Sequence, residues 1–234
     1  IQTSGGSSPV PPGTESVRST GARTYVATGS YREPMTSVED VDELGSYAAA
    51  LRSWGVAADR PDGMLAIGGE PGARLDAVVT QARDEGALES RDQMAPIRWL
   101  VRYFTSGGFA YALDAPGGDG QDNLAVIDDF LAERRGYCTH YATAFTVLAR
   151  LLGVPARVVL GYQPQGPASA DGSYEVTMRQ LHAWSEVWVE GVGWVGVDVT
   201  PAASETEPDE PAATPGTPVT PQTPQAEDGE PESE

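Results

Sequence analysis

The most regular pattern in the chain starts at Cys138. In CTHYATAFTVLARLLG, Ala142, Phe145, Leu148, Ala149 and Leu152 recur at spacings of three and four, the apolar stripe of an amphipathic helix. Gly153 and Pro155 end it. The period then falls towards two, and strands are expected at Ala156 to Tyr162, Tyr174 to Arg179, His182 to Val189 and Trp194 to Thr200. EGVG at 190–193 turns the last two into a hairpin. Upstream, helical spacing predicts four more helices. One spans 37–53, capped by Ser37 and facing inward through Val41, Leu44, Ala48 and Leu51. A second spans 72–85, with Leu75, Val78, Val79 and Ala82. A third opens at Pro96 and buries Ile97, Leu100, Val101 and Phe104. The fourth is capped by Asp122, carries Val126, Ile127, Phe130 and Leu131, and ends near Gly136. Short strands are expected at 24–31 and 109–113, with a loop between the first two helices. Helices followed by a buried helix and antiparallel strands make an α+β fold.

Composition changes the picture mainly at the ends. The 234 residues carry 34 acidic and 15 basic side chains, a net charge of −19. Such a chain is repelled by nucleic acid, which excludes binding driven by phosphate attraction. Nine of the acidic groups lie in 202–234 with no basic residue and a Pro every few positions. That stretch is expected to be a disordered, extended tail. Residues 1–20, rich in Gly, Ser and Pro, read as a flexible N-terminal segment with no secretory leader pattern. The folded part is therefore expected at 21–201, its core from about residue 95. The two low-complexity ends suggest a segment of a longer chain. No apolar run is long enough to cross a membrane. Every basic residue is Arg; the chain contains no Lys.

One cysteine, Cys138, excludes an intrachain disulfide, and two histidines with scattered carboxylates form no metal-ligand spacing. No metal and no cofactor are expected. Cys138 opens its helix, where unpaired N–H groups and the helix dipole favour a thiolate. His140 lies about 200° round the same helix from it, and reads as a packing residue. His182 starts a strand whose even-numbered positions share one face with the even-numbered positions of the next strand, provided the hairpin loop is odd-numbered, such as 191–193. Asp198 then falls on the His182 side. A sulfur nucleophile, an imidazole base and a carboxylate that orients it have the logic of a catalytic triad.

These residues carry a resemblance. GYCTHYATAFTVLARLLGVPARVVLGY followed by HAWSEVWVEGVGWVGVDVTP resembles the transglutaminase-like superfamily, whose papain-like core runs in the order Cys, His, Asp. The RRGYCTHYA and RQLHAW segments are most similar to a bacterial, membrane-anchored branch with its soluble domain outside the cytoplasm. The resemblance implies Cys138 as nucleophile, His182 as general base and acid, and Asp198 as orienter. It also implies acyl transfer on glutamine carboxamides of proteins or peptides, and a location at the cell membrane. Membrane attachment would come only through segments outside this chain. Thr139, Leu181 and Val199 depart from the usual pattern and bear on substrate choice. A cysteine peptidase or amidase using the same triad is the alternative, and a non-catalytic interaction domain the second.

Other residues keep two readings. Tyr137, Trp184 and Trp194 are candidates for substrate binding, and the tryptophans with Trp188 equally suit a core. Arg157 and Glu186 form either a buried ion pair or two solvated groups. Arg134 and Arg135 attract acidic substrates or merely end a helix.

Overall fold

The computed structural model describes residues 33–53, 60–89, 92–115, 122–163 and 178–202, with backbone pairing for four short strands before them. Those are β1 (Gln2–Thr3) with β2 (Gly6–Ser7), and β3 (Thr14–Ser19) antiparallel to β4 (Tyr25–Gly29). β4 coincides with the strand expected at 24–31. The first twenty residues, in which no element was expected, contain three strands.

Helix α1 (Val38–Ser53) opens on the expected cap. Ser37 Oγ accepts from the Asp40 N–H at 3.2 Å, and the Asp40 carboxylate accepts from the N–H of Ser37 and of Thr36, both at 2.9 Å. This reciprocal arrangement satisfies N–H groups that the first helical turn cannot. Helix α2 (Ala73–Asp84) buries the predicted Leu75, Val78, Val79 and Ala82. In α3 (Ala95–Ser106), Pro96 occupies the first turn, where its missing N–H removes no helical bond. Helix α4 (Asn123–Glu133) is capped by Asp122, whose carboxylate accepts from the Leu124 N–H at 3.4 Å. Its buried face is Leu124, Ile127, Phe130 and Leu131; Val126, expected inside, is half-buried. The strand expected at 109–113 shrinks to β5 (Ala110–Tyr111), parallel to β6 (Arg135–Gly136), and Leu113 points outward, 65% exposed.

Helix α5 (Cys138–Leu151) is the centre of the core. Tyr141, Phe145 and Leu148 are wholly buried, each contributing about 1.5–3 kcal/mol by leaving water. Its aromatic face meets Phe104, Phe109 and Phe130. On its other side lies an antiparallel sheet in the order β7 (Ala156–Tyr162), β8 (Leu181–Val189), β9 (Gly193–Val197). Thr146 Oγ1 donates to Ser185 Oγ at 3.1 Å, and Ser185 Oγ donates to the Ala142 carbonyl at 2.9 Å, fixing α5 to β8 inside the core. Ala156, Val187, Val189, Val195 and Val197 complete that layer. The expected strand at 174–179 lies mostly outside the described residues. Met178–Gln180, its end, is a 3-10 turn. The described sheet thus has three strands, and the fold is α+β with the helix packed on antiparallel strands.

Candidate active site

Two elements bring the site together. Cys138 is the first residue of α5, and Tyr137 before it is extended, with φ −117° and ψ 178°. The break in direction leaves the first N–H groups of the helix unpaired by the helix itself. His182 is the second residue of β8, on the strand that Ser185 fastens to α5.

The hairpin decides where Asp198 falls. Val189 pairs with Gly193 and Trp188 with Trp194, so the loop is Glu190, Gly191 and Val192. It begins one residue earlier than expected but keeps an odd length, and even-numbered residues of both strands share a face. Gly191, at φ +84°, and Gly193, at φ +104°, supply left-handed backbone that other residues rarely adopt. Asp198 lies just beyond β9, and its Oδ2 is 2.6 Å from His182 Nε2. Asp198 Oδ1 accepts from the Thr200 N–H at 3.0 Å. The backbone of Asp198 is held by the Met35 carbonyl at 2.9 Å, within a parallel bridge of Met35 to Val197. That strap comes from far upstream in the chain, and no sequence pattern marked it.

His182 stands between Asp198 and Cys138 electrostatically, each shifting its pKa. Burial pushes the Cys138 thiol up. Hydrogen bonds from the His182 side chain and the Ala183 N–H outweigh it, helped by the His182 charge and the Thr139 N–H, and the thiol is held below its ordinary value. His182 is pushed up to about 9, first by its bond to Asp198 and then by that to Cys138, against desolvation. Burial of Asp198 raises its pKa, but the bond to His182 and the imidazolium charge bring it below the ordinary range. All three directions favour a thiolate, an imidazolium and a carboxylate. With Nε2 given to Asp198, Nδ1 is the ring nitrogen left for the sulfur. His182 and Asp198 side chains are only 19% and 12% exposed, which limits screening of the pair.

The remaining residues divide. His140 is buried behind Cys138, its Nδ1 accepting from the Tyr137 N–H at 3.4 Å and its ring 5.6 Å from Phe130. Tyr137 stands beside Cys138, its ring edge-on to His140 at 4.4 Å. Trp184 lies near the site: its ring stacks near His182 at 6.3 Å and presses on Gly161, where an added Cβ would come within 2.8 Å of the indole. It is 7% exposed, and its Nε1 has no hydrogen-bond partner. Trp194 is not brought to the site. It pairs with Trp188, six positions along β8 from His182, about 20 Å away at strand rise. Trp194 packs edge-on to Trp188 at 5.5 Å and beneath Arg157 at 4.2 Å. Arg157 and Glu186 form the ion pair, at 2.6 Å, with Glu186 5% exposed. The described residues contain no His, Cys, Asp and Glu group able to hold a metal.

Sequence reading missed the Ala183 and Thr139 N–H groups at the sulfur, because backbone donors leave no residue signature. Gly161, in contrast, carried a signal. A Gly inside a strand marks a close approach, here by Trp184.

Residues 91–199 match the model of the Transglutaminase-like superfamily. Over 140 residues, 58% of this chain, the sequence is 38% identical to a protein-glutamine gamma-glutamyltransferase of Pseudomonas aeruginosa. Over 79 residues, 32% of this chain, it is 40% identical to the uncharacterized protein YebA of Bacillus subtilis. The chain spans 19% and 11% of the length of those two relatives. Among solved structures, the periplasmic domain of TgpA from Pseudomonas aeruginosa is 35% identical, with a TM-score of 0.46, covering 58% of this chain and 45% of that one. Residues 91–199, which include Cys138, His182 and Asp198, are thus a transglutaminase-like domain within this chain.

Proposed function

We propose that the domain is a cysteine acyltransferase acting on glutamine carboxamides of proteins or peptides. The observation that carries this reading is His182, 2.6 Å from Asp198 and raised in pKa by both Asp198 and Cys138, in a transglutaminase-like domain. The Cys138 thiolate attacks the carboxamide carbon. The C–N bond breaks, the His182 imidazolium gives its proton to the departing ammonia, and a thioester remains on Cys138. A primary amine then attacks the thioester, His182 takes the amine proton, an amide forms and the thiolate is released. The Cys138 backbone N–H, at the start of α5, is one donor for the oxyanion of each tetrahedral intermediate. If water replaces the amine, the product is a glutamate side chain.

Asp198 orients His182 and stabilises its charged form in this scheme. Tyr137 and Trp184 flank the reacting atoms as the substrate-facing residues, and folding extends over 21–201 with the core from about 95. The domain works outside the cytoplasm, with any membrane attachment through segments outside this chain; its likeness to the membrane-anchored branch supports that placement. Among the described residues no helix is long and apolar enough to cross a membrane.

The test is mass spectrometry of a glutamine peptide incubated with the protein and a small primary amine. Gain of the amine with loss of ammonia, abolished by Cys138→Ala, supports the transferase. A gain of about one mass unit, as carboxamide becomes carboxylate, or a cut peptide points to a hydrolase with the same triad. No covalent change, with Cys138 no more reactive than a free thiol, leaves an interaction domain.

A further inference from the structure

Two adjoining cavities, of about 270 and 120 Å³, open between α2, α3 and α4 and share Gln81, Tyr103 and Arg134. Neither includes Cys138, His182 or Asp198. The smaller is walled by Ala77, Val78 and Leu131 and flanked by Arg74 and Arg134. The larger holds Trp99 stacked on Tyr103, ring centres 5.2 Å apart and planes 12° from parallel, with Arg102 and Glu85 at its rim. Three arginines converge on one groove in a chain with 34 acidic and only 15 basic residues. Arg74 and Arg134 are both close enough to pull down the Tyr103 pKa, which burial raises.

The charges of the groove are not cancelled within it. Among the described residues, Arg74 and Arg102 form no ion pair with a carboxylate. Glu85, the acidic residue lining the groove, is already engaged: its oxygens accept from Gln81 Nε2 at 2.8 Å and Trp99 Nε1 at 2.7 Å. Arg134 spends one N–H on the Gly107 carbonyl at 2.6 Å and stands over Phe109, which fixes its guanidinium with donors to spare. It does so from a left-handed backbone, φ 54°, at the end of α4, where Gly is the usual residue. Arg135, its neighbour, instead pairs with Asp114 on the surface at 2.9 Å.

We propose that this groove binds an acidic peptide segment, with a side-chain carboxylate between Arg74 and Arg134 and a neighbouring apolar or aromatic side chain against Trp99 and Tyr103. A guanidinium fork pairs with a carboxylate through two parallel hydrogen bonds. In the wider cleft Glu85 faces Arg102 beside the Trp99–Tyr103 stack, so the part away from Arg134 suits an uncharged side chain. A polymer with a phosphate at every unit would place one beside Glu85. The site is separate from the proposed catalytic groups and does not depend on their activity.

The experiment is calorimetric titration of the whole chain with acetyl-Gly-Phe-Glu-Gly-amide, compared with acetyl-Gly-Phe-Met-Gly-amide. Saturable binding of the Glu peptide is expected, weakening as salt is raised. Roughly tenfold or greater loss is expected for the Met peptide and for Arg74→Gln with the Glu peptide, the worth of one charge-assisted bond. Arg102→Gln should weaken binding less. Both arginines are exposed, and circular dichroism checks that the variants fold. Binding should be the same after Cys138 is alkylated, whatever the enzyme assay gives. Equal binding of the two peptides, unchanged binding in Arg74→Gln, displacement by an equal concentration of inorganic phosphate, or loss on Cys138 alkylation would each overturn the proposal.

Discussion

His182 Nε2 and Asp198 Oδ2 stand 2.6 Å apart, on residues that no short-range pairing joins. The carboxylate makes the imidazolium the preferred form, and the imidazolium in turn favours the Cys138 thiolate. Alkylation of Cys138 by iodoacetamide should therefore be fast at pH values where an ordinary thiol is protonated. In His182→Ala the inflection of rate against pH should move up, because burial then acts on the thiol without the His182 bond. Asp198→Ala should move it the same way by less, and lower kcat/KM by on the order of 10²–10⁴-fold. A single unshifted profile across all three proteins would refute the coupling.

The same bond makes stability depend on pH, and its sign is fixed. His182 has its folded pKa raised from 6.5 to about 9. Its contribution is fully present below 6.5 and is lost as pH rises through about 9. Urea unfolding of the wild type and of His182→Gln should show the largest gap near pH 6, and the gap should narrow as pH approaches 10. Asp198, whose pKa is lowered, works the opposite way: its contribution is present above the unfolded carboxylate range and lost as pH falls through its folded value. A gap that widens between pH 7 and 10 would contradict the assignment.

Gly161 sits opposite His182 in the β7–β8 register, with the Trp184 ring where a side chain would go. Gly161→Ala brings a Cβ to 2.8 Å from Trp184 Cη2, so the indole has to shift. Overpacking of this kind costs about 1–3 kcal/mol. Because Trp184 stacks near His182, the displaced ring should also slow Cys138 alkylation. Equilibrium unfolding together with the alkylation rate checks both halves; a variant as stable and as reactive as wild type would mean the ring moves freely.

How much of this was legible in sequence follows from what each feature depends on. Helix α2 is a matter of local periodicity, and Leu75, Val78, Val79 and Ala82 all go inside as spacing dictates. The His182–Asp198 pairing needed only the parity of a hairpin loop, so it survived a one-residue error in where that loop starts. Trp194 shows where parity stops. It shares the face of His182, but face membership says nothing about distance along a strand. The Leu113 strand failed because alternation over 109–113 has no partner beyond two residues of β6. Met35 was invisible for a different reason: a long-range backbone bond to Asp198 can be made by any residue type.

That strap yields its own expectation. Pro34 packs over Gly196, so a Cβ at 196 would lie 3.2 Å from the Pro34 Cβ, and the strap must yield by a few tenths of an ångström. Gly196→Ala should loosen the Met35 bridge that fixes the Asp198 backbone. Hydrogen exchange at the Asp198 amide, which donates to the Met35 carbonyl, should speed up while amides in α2 stay protected. The alkylation profile of Cys138 should drift towards that of Asp198→Ala. Unchanged exchange at Asp198 would mean the strap does not hold the carboxylate's backbone.

The Arg157–Glu186 pair tests whether the far end of the sheet is structural. Glu186 is 5% exposed, while Arg157 is 43% exposed and reaches its partner across β7 and β8. Removing Arg157 leaves a buried carboxylate without its cation, which costs about 3–5 kcal/mol where both partners are buried. With one half-open side, Arg157→Ala should cost on the order of 2 kcal/mol, a figure that includes the guanidinium's packing on the Trp194 ring. Arg157→Met with Glu186→Gln removes both charges and should recover part of that loss, because no ion is left stranded. Since Glu186 lies roughly 13 Å along the strand from His182, Cys138 reactivity should stay at the wild-type level in each folded variant. A double variant less stable than Arg157→Ala would show that the charge on Glu186 itself serves the sheet, and loss of Cys138 reactivity would place this pair within the active site.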